Sequence, residues 1–263
     1  MRSACVATVA LLLFVMPTSA QDSVPKKIQD VSVTILSPGW GEGSGVVCVT
    51  KDKTCWVLTA AHVVQGLREE REIIDSKTGG KKVAVSFRDA KVIRHLVEDG
   101  RTVGRLELDA EVIRYSSVDH HDLALLRVRK REMLAVGCIF YLEDKLPEVG
   151  TDLLHCGSLL GQFGSNSLTA GILSKHGRLI NGYVYDQTSC PSFPGSSGGG
   201  TFLKADGRYV GMLVRGAGET FSLIVPVRRI KDWAKAVGID FVIDPSVPLD
   251  EKFRERAVED SLK

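Results

Sequence analysis

Between residues 31 and 225 the sequence divides into about a dozen short β patterns separated by glycine-rich turns, and this limits the fold more than any other feature. Val31-Ser32-Val33-Thr34-Ile35-Leu36 alternates polar and apolar residues. Gly43 to Val49 and Cys55 to Thr59 read as two arms of a hairpin around Lys51-Asp52-Lys53. Val83 to Phe87, Gly104 to Leu108, Ala110 to Ile113 and Leu123 to Val128 continue the series. A second series follows in Gly137 to Leu142, Asp152 to Cys156, Ser167 to Ser174, Tyr183 to Tyr185, Gly200 to Leu203, Tyr209 to Val214 and Thr220 to Val225. Turn pairs such as Asn181-Gly182 and Asp206-Gly207 punctuate them. So many short strands with such turns argue for all-β barrels or sandwiches rather than βαβ units.

One helix pattern stands out, from Pro226 to Val237, with Val227, Ile230, Trp233, Ala234 and Val237 on one face and Gly238 as its stop. The polar stretch Gly66 to Lys82 reads as a long surface loop. At the start, Arg2 precedes an apolar run from Val6 to Met16, and small residues follow up to Ala20. This is the pattern of a secretory signal cleaved near Ala20-Gln21. An apolar run of about 11 residues is too short for the roughly 20 that span a bilayer. The expected organisation is a signal over 1–20, a first barrel over 28–132, a second barrel with its helix over 133–238, and a charged tail over 239–263. A secreted or periplasmic protein follows, with no stable membrane insertion after signal cleavage.

The formal net charge is +2, with both signs mixed along the chain, so no basic stripe points to nucleic acid. Once the signal leaves with Cys5, five cysteines remain: Cys48, Cys55, Cys138, Cys156 and Cys190. An odd number leaves at least one thiol free or paired between chains. Cys48 and Cys55 flank the expected hairpin tip, and export would favour a bridge between them. The spacings contain no C-x-x-C pair and no histidine at ligand distance, so no metal and no cofactor is expected.

Three short segments carry chemistry. Thr59-Ala60-Ala61-His62-Val63-Val64 offers a histidine after an apolar strand. Asp122-Leu123-Ala124-Leu125-Leu126 offers an aspartate at the head of another. Pro194-Gly195-Ser196-Ser197-Gly198-Gly199 offers a serine among glycines. They stand about 60 and 75 residues apart in the order His, Asp, Ser. A serine hydroxyl is a weak nucleophile near neutral pH and needs a base in hydrogen-bond reach. Imidazole supplies that base when a carboxylate holds its other nitrogen. The glycines let a tight turn aim the N–H groups of Gly195 and Ser197 at an oxyanion. Each segment alone has a plain reading: a flexible linker, a structural histidine, a strand cap. All three would have to be coincidental at once.

These segments resemble the trypsin-like serine proteases, and among them the HtrA-type protease domain, over Val31 to Trp233. Gly43-Ser44-Gly45-Val46-Val47 resembles the strand before the histidine, and Thr169-Ala170-Gly171-Ile172-Leu173-Ser174 a strand before the nucleophile. The resemblance implies two perpendicular six-stranded β-barrels with a C-terminal helix. It implies His62 as general base, Asp122 as orienter and Ser197 as nucleophile, acting on a polypeptide in extended conformation. Ser196 stands where many relatives carry Asp or Asn, so activation through an ion pair to a freed N-terminus is not expected. With few residues after Trp233, no PDZ module is expected.

The resemblance puts the substrate pocket between Pro191, Ser192 and Phe193 on one side and Val214, Arg215 and Gly216 on the other. None of these residues is acidic, which points away from Lys or Arg and toward a small or medium apolar side chain. Arg215 stands where relatives carry an apolar or aromatic residue, and points either to solvent or toward acidic groups further along the substrate. A catalytically silent binding protein on the same scaffold is the alternative. An ester hydrolase of the α/β class is disfavoured, since its triad runs Ser, Asp, His and its serine lies in a strand-to-helix elbow that is absent here.

Overall fold

Six antiparallel strands close the first barrel in the computed structural model, which describes residues 23–76, 79–98, 101–130, 136–217, 220–249, 253 and 258–259. The proposed signal over 1–20 lies outside the described residues. A short helix α1 (Val24–Asp30) buries Ile28 and leads into β1 (Ser32–Ser37). Then come β2 (Gly41–Val49), β3 (Cys55–Thr59), the single turn α2 (Ala61–Val64), β4 (Arg68–Ile74), β5 (Lys81–Phe87), β6 (Ala90–Glu98), β7 (Arg101–Ser116) and β8 (Leu123–Val128). The barrel runs β1-β2-β3-β8-β7-β6 and closes through β1 against β6. Val46, Val57, Leu58, Leu125 and Leu126 on its strands are all buried.

The second barrel is built from β9 (Asp152–Leu159), β10 (Gly164–Ile180), β11 (Tyr183–Thr188), β12 (Gly200–Leu203), β13 (Tyr209–Gly216) and β14 (Ser222–Pro226), ordered β10-β11-β14-β13-β12-β9 and closed by β9 against β10. Helix α3 (Val227–Val237) follows. It ends on Gly238, whose φ of 72° only glycine adopts freely, with Ile239 N–H closing back on Ala234 O.

Four local expectations are corrected. The stretch Gly66 to Lys82 is not a loop: β4 and β5 pair residue for residue from Arg68 opposite Phe87 to Ile74 opposite Lys81. Gly137 to Leu142 is not a strand, and only Phe140 makes a bridge there, to Tyr209. Strand β6 carries Lys91, Arg94 and His95, and its lack of alternation hid it. Finally, Cys48 stands opposite Trp56 and Cys55 opposite Val49. Successive side chains leave a strand on opposite faces, so these two thiols cannot meet, and no described cysteine is in a disulfide.

The charge-rich residues after Gly238 also carry Phe241, Val242, Ile243 and Phe253, all buried. Phe241 and Phe253 meet Trp56 of the first barrel edge-on, with ring centroids 5.8 and 5.6 Å away. Further along, Tyr115 N–H donates to Val258 O, and Glu259 pairs with Arg68. The chain therefore returns from α3 and lies across the outside of the first barrel.

Candidate active site

His62 sits in the single turn α2, directly after β3. All five residues of β3 are buried, so the strand end is rigidly placed. Ser37 Oγ donates to Val63 O at 2.7 Å and Trp40 Nε1 to His62 O at 3.0 Å, and these bonds hold the turn from outside. Asp122 enters from the head of β8 with its backbone at φ 55°, a left-handed conformation that a side chain other than glycine's seldom adopts. Its amide donates to Ser117 O at 2.9 Å, which closes that bend.

The Asp122 carboxylate is 1% exposed, and each of its oxygens lies 3.0 Å from His62 Nδ1. Oδ1 also accepts the backbone N–H of His62 at 3.1 Å. An ionised carboxylate only accepts, so Nδ1 carries the proton and Nε2 presents its lone pair.

Ser197 lies against the same corner of the first barrel. Its carbonyl accepts from Ser44 N–H at 2.8 Å. A Cβ on the next residue, Gly198, would stand 2.2 Å from Ser44 O and 3.0 Å from Ala60 N, so only glycine lets the nucleophile segment come this close to the His62 turn. Ser197 Oγ faces Val214 O at 3.4 Å and makes no hydrogen bond to His62. Gly195 has φ 91°, and a Cβ there would lie 2.2 Å from Ser158 O. The N–H groups of Gly195 and Ser197 have no acceptor among the described residues, although their neighbours Ser196, Gly198 and Gly199 all donate within the protein.

Val214, Arg215 and Gly216 form the end of β13, beside Pro191, Ser192 and Phe193. The two segments touch: a Cβ on Gly216 would lie 1.8 Å from Ser192 Oγ. Ser222 Oγ donates to Cys190 O at 2.7 Å, which ties β14 to the residue before Pro191. The Arg215 guanidinium lies over the Tyr185 ring, 5.9 Å from the centroid. Two cavities, of about 270 and 540 Å³, lie elsewhere, one beside α3 and one under the returning segment. No group of three or more His, Cys, Asp or Glu among the described residues is placed to hold a metal.

Residues 43–212, from the glycine-rich strand before His62 to the strand behind Ser197, match the trypsin-like peptidase domain. The chain belongs to that family. It is a trypsin-like serine endopeptidase, and its substrate is polypeptide. The fold is shared with Deg5, at 22% identity over 80% of this chain and 89% of that one with a TM-score of 0.56. It is also shared with the HtrA-type protease AlgW bound to a tripeptide, at 19% identity and a TM-score of 0.59, over 83% of this chain and 63% of that one. A third similar structure is an inactive mutant of Rv3671c from M. tuberculosis, at 19% identity and a TM-score of 0.57, over 89% and 97% of the two chains. This chain spans less than two thirds of AlgW and of the serine endoprotease from Yersinia pestis. No curated protein sequence matches it.

Three residues of this trypsin-like peptidase support the site without having been singled out in the sequence. Ser44 bonds to three segments around Ser197. Leu160, at φ 61°, donates its N–H to Pro194 O at 2.7 Å. Arg229 of α3 is buried, stacked on Tyr183 and Tyr185, and bonded to the loop ahead of Asp122. Ser44 sits within a motif whose glycines drew attention instead. Arg229 follows Arg228, and the pair reads as a solvated end of a helix.

Proposed function

We propose that this peptidase hydrolyses peptide bonds through an acyl-enzyme on Ser197, with His62 as general base and Asp122 as its orienter, and that it acts after export, as a secreted or periplasmic protein. The observation that carries this reading is the two-oxygen hold of Asp122 on His62 Nδ1, which in the neutral ring leaves Nε2 with the lone pair a general base needs. In the resting site the Ser197 hydroxyl faces Val214 O. Rotation about its Cα–Cβ bond brings Oγ toward Nε2, as the looser hydrogen bonds of unliganded sites tighten on binding.

Oγ then attacks the scissile carbonyl carbon while its proton passes to Nε2. The carbonyl oxygen takes up the electron pair and accepts from Gly195 N–H and Ser197 N–H. Collapse of this intermediate expels the amine, which leaves with the proton from His62. Water repeats the sequence on the ester and frees Ser197. The substrate lies extended along Val214-Arg215-Gly216. The residue before the cut enters the slot beside Pro191, Ser192 and Phe193, and the contact of Ser192 with Gly216 favours a small or medium apolar side chain there.

A binding protein on the same scaffold is the second reading, favoured by the Ser197 hydroxyl pointing to Val214 rather than His62. Mass spectrometry after fluorophosphonate treatment separates the two. One adduct on Ser197, absent from Ser197→Ala, is the expected result. A folded protein that takes no adduct, with or without added peptide, overturns the catalytic reading.

A further inference from the structure

Ser44 is fully buried, and each of its polar atoms is hydrogen-bonded within the protein. Its N–H donates to Ser197 O at 2.8 Å. Its Oγ donates to Gly195 O at 2.6 Å and accepts Ser158 N–H at 2.7 Å. Its carbonyl accepts from Thr59 Oγ1 at 2.7 Å, which ties it to the end of β3 just before His62. One residue of the first barrel thus links the histidine strand, the nucleophile turn and β9 of the second barrel.

In a trans peptide the C=O and N–H point to opposite sides of one rigid plane. Pinning a carbonyl therefore aims the N–H of the next residue. Leu160 N–H holds Pro194 O at 2.7 Å, which turns Gly195 N–H away from Leu160. Gly199 N–H holds Ser196 O at 3.0 Å, which sets Ser197 N–H in the same manner. The plane between them, Gly195–Ser196, is held by Ser44 Oγ on one side and by Ser196 N–H on Phe193 O at 2.9 Å on the other. Three consecutive planes are fixed by neutral hydrogen bonds. Ser196 carries no charge that an ion pair could anchor.

We infer that Ser44 is a positioning residue that keeps the oxyanion turn formed before substrate arrives, in place of an activating ion pair. The inference rests on the proposed catalytic role of Gly195 and Ser197. Without the Ser44 hydroxyl, Gly195 O and Ser158 N–H lose their partners, the Gly195–Ser196 plane keeps only the bond of Ser196 N–H to Phe193 O, and the two flanking planes that carry the Gly195 and Ser197 donors lose the brace between them. Loss of a single oxyanion donor costs about 10²–10³ in kcat. Displacing one rather than deleting it should cost at least about tenfold.

The test has two parts on the full-length protein. Hydrogen exchange is read on peptides covering 158–164 and 193–199, in Ser197→Ala and in Ser197→Ala with Ser44→Ala. Removing the Ser44 hydroxyl should raise exchange there at least tenfold and leave peptides from β7 and α3 unchanged; equal exchange overturns the inference, whatever the protein's activity. With Ser197 intact, Ser44→Ala should react with a fluorophosphonate to completion but at least tenfold more slowly, with kcat reduced and KM within about twofold. Labelling at the normal rate of only a fraction of the molecules would mean a merely structural role and would also overturn it. A wild-type protein that takes no label defeats the catalytic reading instead, and the exchange comparison still decides whether Ser44 holds the turn.

Discussion

Arg229 on α3 donates to the carbonyl oxygen of His121 at 2.8 Å, one residue ahead of Asp122. The same nitrogen reaches His120 O at 3.1 Å, and the other end of the guanidinium donates to Val184 O. Tyr183 and Tyr185 lie against the cation, with ring centroids 4.7 and 4.6 Å from Cζ. A helix behind the second barrel thus holds a loop of the first, the loop that delivers the carboxylate to His62.

Replacing this arginine should therefore affect both stability and turnover. Arg229→Met removes the shared donor of three partly buried carbonyls and should cost about 1–3 kcal/mol, read from the urea midpoint. It should also lower kcat at least tenfold, because the Asp122 loop loses its anchor. Arg229→Lys keeps the charge but not the fork, and should recover less than half of either loss. An unchanged kcat in Arg229→Met would separate the loop from the position of Asp122.

Gly195 should tolerate no side chain. At φ 91°, with Ser158 O at 2.2 Å and Gly161 N at 2.7 Å from the place of a Cβ, alanine must push the turn out of its pocket. Gly195→Ala should fold, with a stability loss of about 1–3 kcal/mol from backbone strain. Its kcat should fall about 10²-fold or more as the Gly195 donor moves. Steady-state kinetics beside a melting curve checks both.

Acid should destabilise the fold through His155. This residue is wholly buried beneath Gly199, and burial pushes its pKa down to about 4, only partly offset by its bond to Gly200 O at 2.9 Å. Burial likewise takes His121 down to about 4, helped by the charge of Arg229. An unfolded histidine binds its proton near pH 6.5, so between about 6.5 and 4 the unfolded state takes up protons that the native state refuses. Stability falls as pH drops through that window and is highest above it. His155 alone accounts for roughly 3 kcal/mol across the window. Urea midpoints at pH 7 and pH 5 should show a smaller drop in His155→Gln than in the parent.

The thiols should cross-link in a pair other than the one the hairpin spacing suggests. Cys138 N–H donates to Val47 O at 2.9 Å, which brings the Cys138 thiol beside that of Cys48. Burial, with Cys48 alongside, holds the Cys138 thiol well above its ordinary range. Native protein should therefore resist maleimide near pH 7. A diazene oxidant such as diamide, which takes up the two electrons and two protons, should yield a Cys48–Cys138 peptide on mass spectrometry. A Cys48–Cys55 peptide from folded protein would contradict the register of β2 and β3.

The sequence was most legible where chemistry demands particular residues within a short span. His62 after Thr59-Ala60-Ala61, Asp122 before four apolar residues, and Ser197 among glycines each declare their backbone setting. Strands β3, β8 and β12 read cleanly because continuous burial requires continuous apolar side chains. Strand β6 did not, since Val92 and Ile93 are adjacent and both buried, while Lys91 and Arg94 flank them. The hairpin of β4 and β5 is exposed on most of its surface, so nothing forces its residues to alternate. The roles of Ser44, Leu160 and Arg229 were beyond reach for a different reason. Each works through backbone carbonyls and amides distant in sequence, and those partners leave no trace in residue type.

The returning segment past α3 gives the cleft a second tether. A groove between two bodies can recognise an extended chain only if its width is constant, and one covalent crossing leaves that width free to breathe. Here the chain passes between the barrels twice, once before β9 and again where Phe241, Phe253 and Val258 rest on the first barrel. A nick at residue 245 would leave Phe241 on Trp56 but release Phe253 and Val258 from the frame, and would uncover one face of Trp56 as it did so. The returning stretch thus braces the second barrel's helix against the first barrel without approaching the reacting atoms, and trimming there is expected to weaken cleavage while leaving His62, Asp122 and Ser197 untouched.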